Sequence, residues 1–346
     1  MGNRVSLILL LLASADFVHA DPLYTIETLG ALGSGAALPT GINNSGSAVG
    51  WITDWQGSVN PVYFANGQTT PFGSNGQANA INNNGVAVGT LFGSGGPGVT
   101  EWAGGQTTSL GIAGYGTAIN SSGQVAGGYI RPDGQLHAFS WSGGVLVDLG
   151  TLGGSSSSAY GINSSGQTAG SSMMADGTFH AFFSNDGSLQ DLGTLGGANS
   201  YGMALNDAGQ VVGNAQTAEG YSMAFRWDGK QMKNLGTLGG TQSYAYGINS
   251  AGDVVGYSWT SDEVTHGFLY RNGILVDLNS LLPIGSGWTI DGAYGINDAG
   301  QILAVATHDG QRFAVDLAPT LATPEPASVA LVLLGLLAAT SLRRRG

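Results

Sequence analysis

The sequence predicts an all-β fold, a seven-bladed β-propeller made of four-stranded repeats of about 42 residues. Three observations predict it. A short phrase, Gly-Ile-Asn-x-x-Gly in its commonest form, is written seven times at a spacing near forty residues. Apolar residues between the phrases come in short runs, broken by glycine-containing turns. Outside the two ends, no window sustains the 3.6-residue apolar period of a helix.

The phrase is Gly41-Ile42-Asn43-Asn44-Ser45-Gly46 at its first appearance, and its Asn returns as Asn82, Asn120, Asn163, Asn206, Asn249 and Asn297. Each Asn is followed three residues later by Gly. Asn bonds readily to its own backbone and Gly accepts positive φ, so Asn-x-x-Gly between two apolar runs reads as a hairpin corner. The strand after the corner is Gln124-Val125-Ala126-Gly127, Gln210-Val211-Val212-Gly213 or Asp253-Val254-Val255-Gly256. A variable polar segment follows, and then a third strand such as His137-Ala138-Phe139-Ser140-Trp141 or Met223-Ala224-Phe225-Arg226-Trp227. Turns at Ser142-Gly143-Gly144, Asp228-Gly229 and Asn272-Gly273 lead into the fourth strand. That strand ends in Asp148-Leu149-Gly150-Thr151-Leu152-Gly153-Gly154 or its copies at 191–197 and 234–240.

The ends of the array predict how it closes. The last repeat runs through Gln301–Ala306 and Arg312–Leu317 and lacks a fourth strand. The segment Leu23-Tyr24-Thr25-Ile26-Glu27-Thr28-Leu29-Gly30 reads like an orphan fourth strand. Pairing the two closes the ring and removes sticky open edges. Repeats between 40 and 115 are more degenerate, so their boundaries are less sharply marked.

Composition narrows the function classes. Only 9% of the 346 residues are charged, against about 25% in an average soluble domain, so hydroxyls, amides and bare backbone must cover the surface. The formal charge is −12, and four of the ten basic residues, Arg4 and Arg343 to Arg345, lie at the ends. An acidic surface repels phosphate backbones and argues against nucleic acid as a partner. There is no cysteine, which excludes disulfides, thiolate metal sites and thiol nucleophiles.

Three domains are expected. Residues 1–20 read as a signal peptide, with Arg4 as the positive region, Val5–Ala13 as the apolar stretch and cleavage after Ala20. Residues 21–320 hold the repeats. Residues 321–346 carry Pro324-Glu325-Pro326, an apolar run from Ala327 to Leu342, and Arg343-Arg344-Arg345. Sixteen helical residues rise about 24 Å, slightly short of a hydrocarbon core. The arginines favour the cytoplasmic side, so this tail reads as a short transmembrane helix.

This tail resembles the PEP-CTERM sorting signal of Gram-negative bacteria. The resemblance implies processing by an exosortase-type protease, transient anchoring in the inner membrane, and a link to exopolysaccharide or biofilm. His137-Ala138-Phe139 with Asp148–Gly154, and His180-Ala181-Phe182 with Asp191–Gly197, resemble the HAF repeat of bacterial extracellular proteins. That resemblance spans about 23–317, weakens in the first three repeats, and implies export and a repeat fold but no activity.

No candidate catalytic, cofactor or metal site emerges. His137, His180 and His266 occupy equivalent repeat positions, so each is expected to bond within its own blade, to Asp148, Asp191 or Asp277, and not to converge on an ion. Asp54, Glu101, Asp133, Asp176, Glu219, Asp262, Glu263, Asp291 and Asp309 are scattered, and no spacing pairs two of them as a glycosidase would need. Gly150-Thr151-Leu152-Gly153-Gly154 lacks the Lys and helix of a phosphate loop. Trp102, Trp141 and Trp227 share one repeat position and are expected to pack between blades. Trp51, Trp55, Trp259 and Trp288 fall near strand ends or variable segments and are the candidates for stacking on sugars. The expected protein is therefore an exported, non-enzymatic scaffold of the cell surface or extracellular matrix, with polysaccharide as its partner class. A lectin is the alternative, and a glycan hydrolase a weaker one.

Overall fold

A computed structural model describes residues 24–32, 37–65 and 67–320. The signal peptide, its cleavage site at Ala20, and the tail with Pro324, Glu325, Pro326 and Arg343 to Arg345 lie outside the described residues. Among the described residues, no helix is long and apolar enough to cross a membrane. The chain from Tyr24 to Thr320 forms a compact unit of antiparallel strands with one 3-10 turn, Leu278–Leu281.

The repeat builds a propeller, but the expected seven separate four-stranded blades need correction. Among the described residues, five sheets are four-stranded and stand apart, and a sixth has seven strands. The separate sheets cover 37–71, 153–191, 196–234, 239–277, and the strands Trp288–Ile296, Ile302–His308 and Gln311–Pro319 joined by Tyr24–Ala31. The seven-stranded sheet runs from Gly76 to Gly150, because the strand Gln106–Ile119 passes unbroken from one repeat into the next.

The cause is a missing break between two repeats. In the later repeats Asp-Leu-Gly-Thr-Leu-Gly-Gly interrupts the chain, and its threonine hydroxyl ties the break: Thr151, Thr194 and Thr237 Oγ1 donate to the carbonyls of Gly154, Gly197 and Gly240 at 2.9, 2.8 and 2.8 Å. The equivalent stretch Ser109-Leu110-Gly111-Ile112-Ala113-Gly114 has no such threonine, and the strand continues.

The ring is joined by the first strand. Tyr24–Ala31 pairs antiparallel with Gln311–Pro319, from Tyr24 opposite Pro319 to Ala31 opposite Phe313. Tyr24 and Leu29 are buried in the process, so the joint is apolar packing as well as ladder. Four of the sheets fill their cores with the aromatic of a third strand: Phe139, Phe182, Phe225 and Phe268 are fully buried. The facing glycine of the second strand is required by close approach. A Cβ on Gly213 would lie 1.9 Å from the Tyr201 carbonyl, which no side chain tolerates.

Three of the seams between neighbouring sheets are each stitched by one serine. Ser157, Ser200 and Ser243 Oγ each accept the amide of the preceding sheet's Ala138, Ala181 or Ala224 at 2.8 Å. The same hydroxyls donate to Gly150, Gly193 and Gly236 carbonyls. The small-polar stretch after each break is thus a fastening, since each buried amide needs a partner. Tryptophans pack across the seams: Trp227 lies 5.5 Å from Phe183, and Trp102 5.5 Å from Phe72, each from the sheet before.

Candidate functional site

Every repeat sends its first strand down the central axis, and the Asn-x-x-Gly corners meet there. Each Asn fastens its own hairpin and the next one. Asn163 Oδ1 accepts the amides of Ser165 and Gln167 at 3.1 and 3.0 Å, which shapes the turn and lets Gly166 sit at φ 79°. Its Nδ2 donates to the Asn206 carbonyl at 3.2 Å. The same donation runs from Asn43 to Asn82, Asn82 to Asn120, Asn120 to Asn163, Asn206 to Asn249, Asn249 to Asn297 and Asn297 back to Asn43, at 2.9–3.3 Å. The seven corners are one closed circle of buried hydrogen bonds. The residue before each Asn, Ile in six repeats and Leu205 in the other, faces the same hollow.

Further along the same strands, away from the corners, lies an axial cavity of about 640 Å³. Its wall is set largely by the residue three before each Asn. In three successive repeats that residue is Thr40, Asn79 or Thr117, and in the other four it is Tyr160, Met203, Tyr246 or Tyr294. Thr40, Asn79 and Thr117 reach across the axis wall to the next strand, donating to the Ala78, Gly116 and Ala159 carbonyls at 2.8, 2.7 and 2.7 Å. On the aromatic side, Tyr246 packs against Tyr257 and Tyr294 with ring centroids 5.7 and 5.5 Å apart. Burial pushes the Tyr246 and Tyr294 hydroxyls above their ordinary range, so both stay neutral. Among the described residues that line it, none is Asp, Glu, Lys, Arg or His.

The three histidines are taken up by their own sheets. His137, His180 and His266 Nδ1 meet Asp148, Asp191 and Asp277 at 2.9, 2.9 and 2.7 Å. Asp148 also accepts the Tyr129 hydroxyl at 2.7 Å, and despite the opposing effect of burial these bonds hold its carboxyl below the usual range. Each imidazole thus serves a repeated side-chain pair, and among the described residues no group of three metal-ligating side chains gathers. Zinc or a chelator is expected to leave the melting temperature unchanged, as differential scanning calorimetry will show; a large loss with chelator would mean that a bound ion holds the fold.

The topology gathers most of the carboxylates without pairing them in a site. Asp54, Asp133, Asp176, Glu219, Asp262, Glu263 and Asp309 all occupy hairpins between second and third strands, at the end of the barrel away from the Asn corners. Asp54, Asp133 and Asp176 cap their own turns. Asp54 Oδ1 accepts the Gln56 and Ser58 amides at 2.9 Å, and the Ser58 amide is the main cause of its lowered pKa. Glu101 and Asp291 lie within strands, and neither lines the cavity.

No tryptophan lines the cavity either. Trp55 is 91% exposed on a hairpin tip, and Trp288 stacks on His308 at 4.5 Å. The residues that shape the cavity are tyrosines, which the sequence reading passed over. Their signal is positional: inside otherwise repeated strands, the place three before Asn is the one that changes.

No family model matches the sequence, and no curated protein does. Solved structures match the fold. The chain is similar to YCF48 bound to D1 peptide, with 11% identity, TM-score 0.51, and coverage of 89% of this chain and 99% of that one. It is similar to a puromycin-hydrolyzing peptidase of Mycobacterium tuberculosis, with 10% identity, TM-score 0.50, and coverage of 88% and 57%. A weaker likeness, TM-score 0.45 at 11% identity, is to TolB from Acinetobacter baumannii, covering 79% of this chain and 63% of that one. At such identities the likeness to the first two is one of fold.

Proposed function

We propose that this chain is an exported, non-enzymatic interaction protein of a Gram-negative cell surface or extracellular matrix. A signal peptide cleaved after Ala20 would export it. Pro324-Glu325-Pro326, the apolar run and Arg343 to Arg345 would hold it at the inner membrane until an exosortase-type protease acts. The observation that carries the non-enzymatic reading is the axis itself. Its cavity is walled by neutral hydroxyls, amides and tyrosines, while the histidines are bonded to aspartates inside their own sheets. General acid–base chemistry needs titratable groups converging on one reacting atom, and here they diverge.

The test is the mature protein's ends. Mass spectrometry of the protein recovered from cells making exosortase is expected to show a chain starting at Asp21 and lacking Arg343 to Arg345. Glu325→Ala is expected to keep the tail and leave the protein in the membrane fraction. Intact ends in the cytosol would overturn export.

A second reading, a glycan-binding propeller, is favoured by one observation: the cavity joins tyrosines to amides and hydroxyls, the combination by which neutral sugars are stacked and hydrogen-bonded.

A further inference from the structure

We propose that the axial cavity is a binding site for an uncharged saccharide, an inference that rests on the non-enzymatic binding role and gives it a place and a ligand class. A cavity of about 640 Å³ lies within the roughly 300–1,000 Å³ of small-molecule sites. It is also where the repeats stop being alike. A position that only had to close the ring would carry one residue in every repeat, as the Asn position does. Instead, one arc carries Thr and Asn and the other carries Tyr and Met.

An independent observation points to a ligand. Thr90 is one of the lining residues, it is 1% exposed, and its hydroxyl has no hydrogen-bond partner among the described residues. An unpaired buried hydroxyl is costly, and a ligand hydroxyl reaching it would remove that cost. Three other polar side chains of this wall offer acceptors, beside Gln77 and Ser158, which also line the cavity. Thr40 and Thr117 spend their hydroxyl hydrogens on the Ala78 and Ala159 carbonyls, and Asn79 spends Nδ2 on Gly116. Each keeps an oxygen as acceptor. Such a wall suits a ligand rich in O–H donors.

Charge decides between ligand classes. With no ionised group in the lining, an ionic ligand would be desolvated without a counter-charge. The acidic hairpins at this end of the barrel also repel anionic sugars. An aromatic cage for a quaternary ammonium needs open ring faces around one point. Here Tyr246 is packed on Tyr257 and Tyr294 on one arc, and the facing arc carries Thr40, Asn79 and Thr117, so the rings do not close around one point. Tyrosine on one side with hydroxyls and amides on the other suits a neutral polyol.

The experiment is a glycan array with neutral, sialylated and uronate-containing saccharides, probed with the full chain in detergent, with calorimetric titration of the best neutral hit and of choline. Three variants go with it. Met203→Trp fills the cavity, Thr90→Val removes the unpartnered hydroxyl at constant shape, and Trp55→Ala changes an exposed tip outside it. Binding of a neutral saccharide is expected, weakened about tenfold or more by Met203→Trp and about fivefold by Thr90→Val, which also keeps or raises the melting temperature. Trp55→Ala is expected to bind like the parent. Thr90→Val carries the test if Met203→Trp fails to fold. Binding that ignores both cavity variants overturns the cavity and leaves the lectin reading standing. Preference for anionic sugars or for choline overturns the uncharged class. A silent array overturns the site and the lectin reading together, while export and processing are judged separately by the chain's ends.

Discussion

Asn163→Asp is expected to be the most damaging single substitution in the axial circle, costing about 3–5 kcal/mol at neutral pH. Asn163 is 4% exposed and uses its whole side chain. Oδ1 takes two amides of its own hairpin, while Nδ2 donates to the Asn206 carbonyl and to Gln167 Oε1 at 3.2 and 2.7 Å. Aspartate keeps the first pair of bonds and turns the second into oxygen facing oxygen. The new charge also stands one hairpin from Asp207, which accepts the Ser164 amide at 2.9 Å. Asn163→Ala removes all four bonds without adding charge and is expected to cost less, about 2–4 kcal/mol. Thermal unfolding at pH 7 should therefore rank the parent above Asn163→Ala, and Asn163→Ala above Asn163→Asp. The aspartate variant should recover part of its loss on acidification, because its buried carboxyl titrates above the unfolded value and protonation restores a donor. Equal melting temperatures for all three would mean that the circle adds nothing to the sheets it joins.

The corners were legible in the sequence, and the circle they form and the cavity beside it were not, for one physical reason. A corner has local requirements: Asn to cap its own turn, Gly to take positive φ, and apolar residues before and after. Those needs act within six residues, so each copy writes them out, and Asn43 to Asn297 can be read directly. The joining of Tyr24–Ala31 to the last repeat follows from counting strands, another local property. The merging of two repeats into one sheet depends on something missing, the threonine of the break, absent between Ser109 and Gly114, and degeneracy at that point did not announce its consequence. The cavity arises only when first strands from the whole chain converge. Tyr160, Tyr246 and Tyr294 lie far apart in sequence, and nothing near any one of them marks it as a wall residue. The histidine–aspartate pairs and the seam positions of Trp102 and Trp227 are repeated features and follow from the sequence, whereas Trp51, Trp55, Trp259 and Trp288 are not among the residues lining the cavity.

The same convergence ties the circle to a titrating group at the ring joint, where a second large effect is expected. Asn297 Nδ2 donates to Gln301 Oε1 at 2.8 Å, and Gln301 Nε2 donates to Asp316 Oδ2 at 2.6 Å. Asp316 is 5% exposed, its Oδ1 has no partner, and it sits opposite Glu27 of the first strand. Burial is the main cause pushing its carboxyl up to about 6, with Glu27 adding to it and the Gln301 bond opposing. The folded-state pKa thus lies above the unfolded value of 3.8. The folded protein binds more protons than the unfolded chain between these values, so this group's contribution falls as pH rises from about 4 to 6 and stays low above 6. A shift of about two units corresponds to roughly 3 kcal/mol as an upper figure. Asp316→Asn keeps the acceptor for Gln301 and carries no charge toward Glu27. Urea unfolding of parent and variant from pH 4 to 8 should show the variant gaining on the parent across pH 4–6, then a constant difference. Carboxylates with lowered pKa, such as Asp54 and Asp176, give the opposite slope at lower pH, but they are common to both proteins and cancel in the difference. Parallel curves would mean that Asp316 keeps an ordinary titration in the fold and that the ring closes without regard to its charge.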